Sequence, residues 1–461
     1  IDTGEFVFNK NQVSSSYPTS SPFYTTLLYI LLSFYDSPYI TKIANIAAYC
    51  MIFYWFVRLI DHTLSSMQKV LLLFWLSAIV SPMGIRWLFN GMETTFIALG
   101  SILLGQIIAN STQRVMIYKG IKYDCLILLL GAFLVSLRIE FLYVILLAIS
   151  PILWTNYRSP NKLGNENFKR VAFLIFGSLL SILLIWLTFG EILGDPSIAK
   201  SEQFGDIDNI GQQILYSFKG ILIAHAGASY FSMVSALCLL ITSFLCFRQK
   251  KIRKFIVFYL LGFGFFLFLI IFRQQAIHGY RNFIFIEFFI LSYNFQTLTN
   301  ININLSKEFK RFTQKSRDVF TIIAVIVILF ATVHDLRKMI AMNNSGSETY
   351  LNFSNLDLTD LKGTVGIAWD AGFIGYYSKE AHLLDPNGLI NGRDFAQLSV
   401  SKRFKYICEQ KEIKFVYVNQ SQMDQLKNCY NFEGWQQRST FDFQNFSEKL
   451  TYFLLVKNDL N

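Results

Sequence analysis

Residues 85–100, "IRWLFNGMETTFIALG", set two ionisable side chains, Arg86 and Glu93, between runs apolar enough to be membrane helices. A charge at a membrane surface costs little, whereas one in mid-bilayer is retained for a purpose, so the fold turns on which side of a bilayer this segment faces. The chain around it is 53% hydrophobic with a mean hydropathy of +0.39, and only 16% of its residues are charged. Soluble domains carry roughly 25%. This composition predicts a multi-pass α-helical membrane protein. The net charge of +10 is gathered in short segments between apolar runs, the pattern of cytoplasmic loops, and does not point to nucleic acid.

Apolar runs near 43–60, 69–82, 94–110, 124–137, 141–155, 171–188, 229–247, 255–272, 282–297 and 319–335 are expected to span, about ten in all. Alternate connections between them differ in charge. One set holds Arg58 and Lys69; Arg114, Lys119 and Lys122; Arg158, Lys162, Lys169 and Arg170; Arg248, Lys250, Lys251, Arg253 and Lys254; and Lys307, Lys310, Arg311, Lys315 and Arg317. The other holds Arg86, Arg138, Lys200, Lys219, Arg273 and Arg281. The positive-inside rule assigns the first set to the cytoplasm, which puts the "GMET" turn, Arg138 with Glu140, the 189–228 loop, the 273–281 turn and all that follows about 336 outside. That parity also requires "SPFYTTLLYILLSFY", at 22–36, to lie on or dip into the outer surface. The alternative, a true span there, inverts everything before Arg86. Charges fall at span ends on this reading, with no internal repeat to suggest a transporter.

From about 345 the periodicity changes. "TVGIAW", "KFVYVN" and "LTYFLLVKN" read as strands, and "SKRFKYICEQ" and "SQMDQLKNC" as helices, predicting an extracytoplasmic α/β domain over 345–461 after a membrane domain over 43–335. Within it, Asp370, Tyr376, Tyr377, Asp385 and Asn387 fit either sugar binding or, with Pro386 and Gly388, a plain turn. Six cysteines are too few for a disulfide scaffold. Cys50, Cys125, Cys238 and Cys246 read as packing residues, while Cys408 and Cys429 would pair if their domain faces an oxidising compartment. The chain starts at Ile1 with no Met and no preceding apolar segment, so its true N-terminus is expected upstream.

Five stretches, in order, resemble one family. "GEFVFNKNQVSSSYPTSSPFYTTLL" is similar to the first outer loop of GT-C glycosyltransferases related to the mycobacterial terminal arabinofuranosyltransferase: Gly4, Val7, Phe8 and Asn9 match its "G-x-V-F-N", and Ser20, Ser21 and Pro22 part of its "T-S-P-L-W". "FNGMETTF" resembles its "S-G-M-E-T-P-L", "LRIEF" its "L-R-P-E-G", and "TFGEILGDPSIAKSE" keeps Ala199 and Lys200 of its "Y-F-G-D-P-L-P-N-T-F-Y-A-K". "DAGFIGYYSKEAHLLDPNGLIN" is close to its "A-G-A-I-G-Y-Y-S-x-x-x-V-I-D-L-x-G-L".

The resemblance implies a membrane enzyme that moves a sugar from a polyprenyl-phosphate donor to a cell-envelope glycan or glycolipid acceptor, on the outer face of a bacterial cytoplasmic membrane. The family's acidic pair lies upstream of the "G-x-V-F-N" segment, so the main base is expected before Ile1. In the residues present, such a transfer needs a carboxylate for the acceptor proton and cations for the departing phosphate. Glu93, Arg138 and Glu140 are the catalytic candidates. Lys200, His278, Tyr280, Arg281, Tyr376, Tyr377, Asp385 and Asn387 are the substrate-binding ones. Each has a plainer role beside this one: Arg138 and Arg281 also fit snorkelling at helix ends, Glu93 a helix N-terminal charge, and His278 a structural hydrogen bond. No nucleotide or zinc motif is present in the sequence, which names no cofactor and leaves a divalent metal open. A lipid-linked-sugar flippase or a surface-polysaccharide polymerase are the alternative readings.

Overall fold

The computed structural model describes residues 21–34, 40–60, 66–80, 94–112, 121–139, 141–158, 162–192, 230–247, 279–300, 355–369, 381–388, 391–444 and 449–458, with positions 256, 326, 329, 333, 336, 337, 340 and 374. They fall into two compact units. One is helical, drawn from 21–190 and 211–336, and the other is an α/β unit that includes 337–461.

The helical unit holds α1 (Pro22–Phe34), α2 (Ile40–Ile60), α3 (Ser66–Ile79), α4 (Thr94–Thr112), α5 (Ile121–Leu137), α6 (Phe141–Arg158), α7 (Lys162–Phe189), α8 (Tyr230–Phe247) and α9 (Gly279–Asn300). All nine follow apolar runs. Several outlast them, as where α7 adds the polar turns "KLGNENFKR" before its apolar stretch, because a helical hydrogen-bond ladder does not require apolar side chains. Among the described residues two helical stretches are long and apolar enough to cross a membrane, Thr94–Ser111 and Asn167–Phe189. Five shorter apolar stretches accompany them. The expected spans at 255–272 and 319–335 lie almost wholly outside the described residues.

Small residues bring the helices together. A Cβ on Gly131 of α5 would strike the Leu174 carbonyl of α7, and one on Gly177 of α7 would strike the Leu128 carbonyl of α5, so the two backbones cross in direct contact. Ser178 donates from the same crossing to the Gly131 carbonyl at 3.4 Å. Gly105 lets α4 lie against α9, where a Cβ would come within 2.6 Å of the Phe289 carbonyl and Ser292 Oγ donates to the Ile102 carbonyl at 2.7 Å. Trp75, fully buried, stacks on Phe295 at 5.6 Å and meets Phe288 at 5.2 Å, joining α3 to α9.

The α/β unit is a five-stranded mixed sheet in the order β2-β1-β3-β5-β4. Its strands are β1 (Val365–Ala368), β2 (His382–Leu384), β3 (Ile413–Asn419), β4 (Trp435–Gln444) and β5 (Lys449–Lys457). β1 runs parallel to both β2 and β3, while β5 is antiparallel to β3 and to β4. The helices are α10 (Arg393–Ala396), α11 (Val400–Glu409) and α12 (Gln420–Leu426). Ser399 caps α11 by accepting from the Lys402 N–H, and Asn419 with Gln422 closes a capping box on α12. β3 is buried at five of its seven positions, as befits a central strand covered on both faces. Cys408 and Cys429 are joined by a disulfide between α11 and the turn after α12.

Candidate functional site

Described residues of two of the sequence stretches singled out above meet within a turn of a third. α1 begins at Pro22, and the ring of its second residue, Phe23, packs edge-on to Phe133 of α5 at 4.9 Å and to Phe96 of α4 at 6.2 Å. Tyr24 lies 5.9 Å from Phe96 and accepts at its hydroxyl from Asn45 Nδ2 at 3.2 Å. The described α1 has thirteen residues and is anchored here by aromatic contacts. Phe96 belongs to "FNGMETTF", and Phe133 stands one turn before "LRIEF".

Arg138 occupies the link between α5 and α6. Its N–H closes onto the Leu134 carbonyl and its carbonyl accepts from the Phe141 N–H, both at 3.0 Å, so the turn is fixed by the backbone. Arg138 is only 8% exposed, although its position at a helix end would allow it to reach solvent. Beside it in the sequence Phe141 is fully buried, and Thr94 and Thr95 are buried in the first turn of α4. This part of the unit therefore combines a largely buried arginine with the packed rings of Phe23, Phe96 and Phe133. Such a setting strengthens an arginine's interaction with an oxyanion.

Of the other predicted site residues, Glu93, Glu140, Lys200, His278, Tyr376 and Tyr377 lie outside the described residues. Tyr280 and Arg281 fall in the first turn of α9, with side chains outside the description. Asp385 and Asn387 are placed in the α/β unit, in the turn after β2. Asp385 is 2% exposed and accepts from the Asn387 N–H at 2.8 Å, while Asn387 Nδ2 donates to the Trp369 carbonyl at 3.2 Å. Gly388 closes the turn with φ +74°, its N–H donating to the Asp385 carbonyl at 2.8 Å. The turn expected with Pro386 and Gly388 is present. Arg403, fully buried, fastens it by donating to the Asn387 carbonyl, and from Nε to the Leu398 carbonyl at 2.9 Å.

The expectation that charges fall only at span ends is corrected by α9. Glu287 lies eight residues into that helix and is 3% exposed. One face of α9 is polar further along, where Asn294 Nδ2 donates to Thr242 at 3.2 Å and to Ser243 at 3.0 Å on α8. The signal was present in the sequence as a lone acid in "FIFIEFFIL", since an ionisable group inside an apolar run is functional by default. Sequence reasoning also passed over Arg403, which stands in an exposed-looking "SKRFK" run and is buried by the turn it holds. No group of three or more His, Cys, Asp or Glu fit for a metal occurs among the described residues.

No protein-family model matches the chain, and no curated protein matches it.

Proposed function

We propose that the protein is a multi-pass membrane glycosyltransferase that takes a sugar from a polyprenyl-phosphate donor and places it on a cell-envelope glycan acceptor at the outer face of a bacterial cytoplasmic membrane. The observation that carries this reading is the packing of Phe23, of "SPFY", on Phe96, of "GMETTF", and on Phe133, one turn before "LRIEF", with Arg138 of that last stretch largely buried. Residues far apart in sequence converge where the charge pattern puts the outer face. Membrane embedding is supported by apolar surface turned outward on three helices: Leu126 and Leu129 on α5, Leu183 and Leu187 on α7, and Leu240 and Phe244 on α8. The Cys408–Cys429 bridge supports an oxidising location for the α/β unit.

In this reading Arg138 faces the phosphate, and its planar fork stabilises the charge that grows there as the bond from phosphate to sugar breaks. A carboxylate takes the acceptor's hydroxyl proton as the new glycosidic bond forms; Glu93, which precedes Thr94 in sequence, and Glu140, which precedes Phe141, are the candidates in the residues present. Membranes carrying the protein, given radiolabelled polyprenyl-phosphate sugars and cell-envelope acceptor, are expected to form a glycosyl product. Arg138→Ala and Glu93→Gln are expected to insert normally and to lower transfer by two orders of magnitude or more, on the order of the loss from deleting one transition-state donor. Normal transfer by both variants removes the site.

A second reading, a carrier of lipid-linked sugar, is favoured by the polar seam at Glu287 and Asn294. Labelled lipid that crosses the bilayer without any glycosyl product selects it.

A further inference from the structure

Between α12 and β4, residues 427–433, "KNCYNFE", line a shallow cavity of about 560 Å³ in the α/β unit. The loop that forms it is fastened at both ends. Cys429 is joined to Cys408 in the last turn of α11. The hydroxyl of Tyr430 lies against the Ile407 carbonyl and 3.0 Å from that of Gln410, so one phenol closes the C-terminal end of α11, where carbonyls have no partner within the helix. Burial pushes this phenol up to about 12, which keeps it a donor at any physiological pH. On the β4 side the ring of Phe432 packs edge-on to Trp435 at 5.2 Å, and the Trp435 N–H donates to the Phe432 carbonyl at 3.1 Å.

The side chains that line the cavity are mostly planar and polar. Asn431 and Glu433 clasp one another: Asn431 Nδ2 donates to Glu433 Oε2 at 3.1 Å, and the Glu433 N–H donates to Asn431 Oδ1 at 2.9 Å. The clasp fixes both groups yet leaves one amide N–H, the carboxylate Oε1 and spare lone pairs for a ligand. Asn428 is exposed, and its amide makes no hydrogen bond among the described residues. The ammonium of Lys427 is matched by Asp424 at 2.8 Å, so the cavity offers no unpaired cation to an anionic ligand. A single carboxylate also falls short of the oxygen set that calcium takes. Amide and carboxylate groups held beside an aromatic ring suit a ligand with neighbouring hydroxyls and an apolar C–H face, which is the chemistry of a sugar ring. The volume lies within the range of small-molecule sites, roughly 300–1,000 Å³.

We infer that this cavity is a binding site for a neutral glycan, with Phe432 as the ring against which a sugar packs and Asn428, Asn431 and Glu433 as the groups that bind its hydroxyls. The bridge and Tyr430 hold the loop in shape before a ligand arrives, which lowers the ordering cost of binding. The site stands on the α/β unit alone. That its glycan is the acceptor rests on the transferase reading above.

The test applies the full-length protein, purified in detergent, to an array of immobilised neutral and acidic oligosaccharides from bacterial envelopes. Neutral members are expected to retain it. Asn428→Ala and Asn431→Ala are each expected to weaken retention about tenfold, the scale of a lost hydrogen bond. Phe432→Ala is expected to weaken it further. Its ring also packs on Trp435, so a thermal melt accompanies that variant; Asn428→Ala, whose side chain holds nothing in the fold, decides the case if Phe432→Ala does not fold. Failure of every neutral member to retain the wild-type protein overturns the site, as does retention of acidic members alone or retention unaltered in the Asn428→Ala, Asn431→Ala double variant. Retention by a protein that transfers no sugar in membranes defeats the transferase reading and leaves the site. Transfer without retention overturns the site and leaves the transferase.

Discussion

Arg438 and Asp360 illustrate how a single pair in the α/β unit carries a pH signature. Arg438 donates to both carboxylate oxygens of Asp360, at 2.8 and 2.5 Å, and these bonds hold the Asp360 carboxyl below its usual range. A depressed carboxyl stabilises the fold above its unfolded value of about 3.9, and the contribution disappears as pH falls through the folded value. Both side chains are about one-third exposed, so the effect is screened and small. Thermal melts of the detergent-solubilised protein should therefore show an acid-side loss below about pH 4 that Asp360→Asn reduces; an identical acid limb in the variant contradicts the assignment. Arg403 is a different case because it is buried. Arg403→Met removes the donor from the Leu398 and Asn387 carbonyls and is expected to cost about 3 kcal/mol, measured by denaturant melts that follow the α/β unit. Gly388 is bound to the same residue: a Cβ there would come within 2.5 Å of Arg403 Nη1, and its positive φ would be strained as well.

Between elements, the crossing of α5 and α7 admits no side chain at either glycine. Gly131→Val and Gly177→Val should each destabilise the helical unit by about 2 kcal/mol or more, seen as earlier aggregation on heating in detergent. The helices themselves were legible in the sequence, because long apolar runs declare their existence even where boundaries drift. The contact of Asn294 with Thr242 and Ser243 between α8 and α9 was not, since it depends on the register of helices distant in the chain. The sheet was legible in part. β3 and β5 are rich in β-branched and aromatic residues and were expected. β4, "WQQRSTFDFQ", is an edge strand whose run from Gln436 to Thr440 is polar, with apolar alternation confined to Phe441 and Phe443. β2 is only three residues long, below what periodicity can resolve. The candidate end of the helical unit was legible as separate stretches, while the contact of Phe23 with Phe96 and Phe133 that unites them is tertiary and leaves no local mark.

For the molecule as a whole, the proposed topology puts the α/β unit outside, and a bridge between Cys408 and Cys429 is compatible with that side. Non-reducing peptide mapping of protein from its native membrane should find the two peptides joined; two free thiols contradict the bridge. Cys408→Ser is expected to destabilise the unit by about 3 kcal/mol, the scale for closing a loop of this size, again by denaturant melts. The strand order has a consequence for synthesis. β5 follows all the other strands in sequence, yet it lies between β3 and β4. While the ribosome is still making the segment before Lys449, β3 has one bare side and β4 has no neighbour at all. The sheet closes only when the final strand slides into the waiting gap. A premature stop shortly before Lys449 would thus release a product with one edge of β3 and both edges of β4 open, a substrate for quality-control proteases instead of a slightly shortened protein.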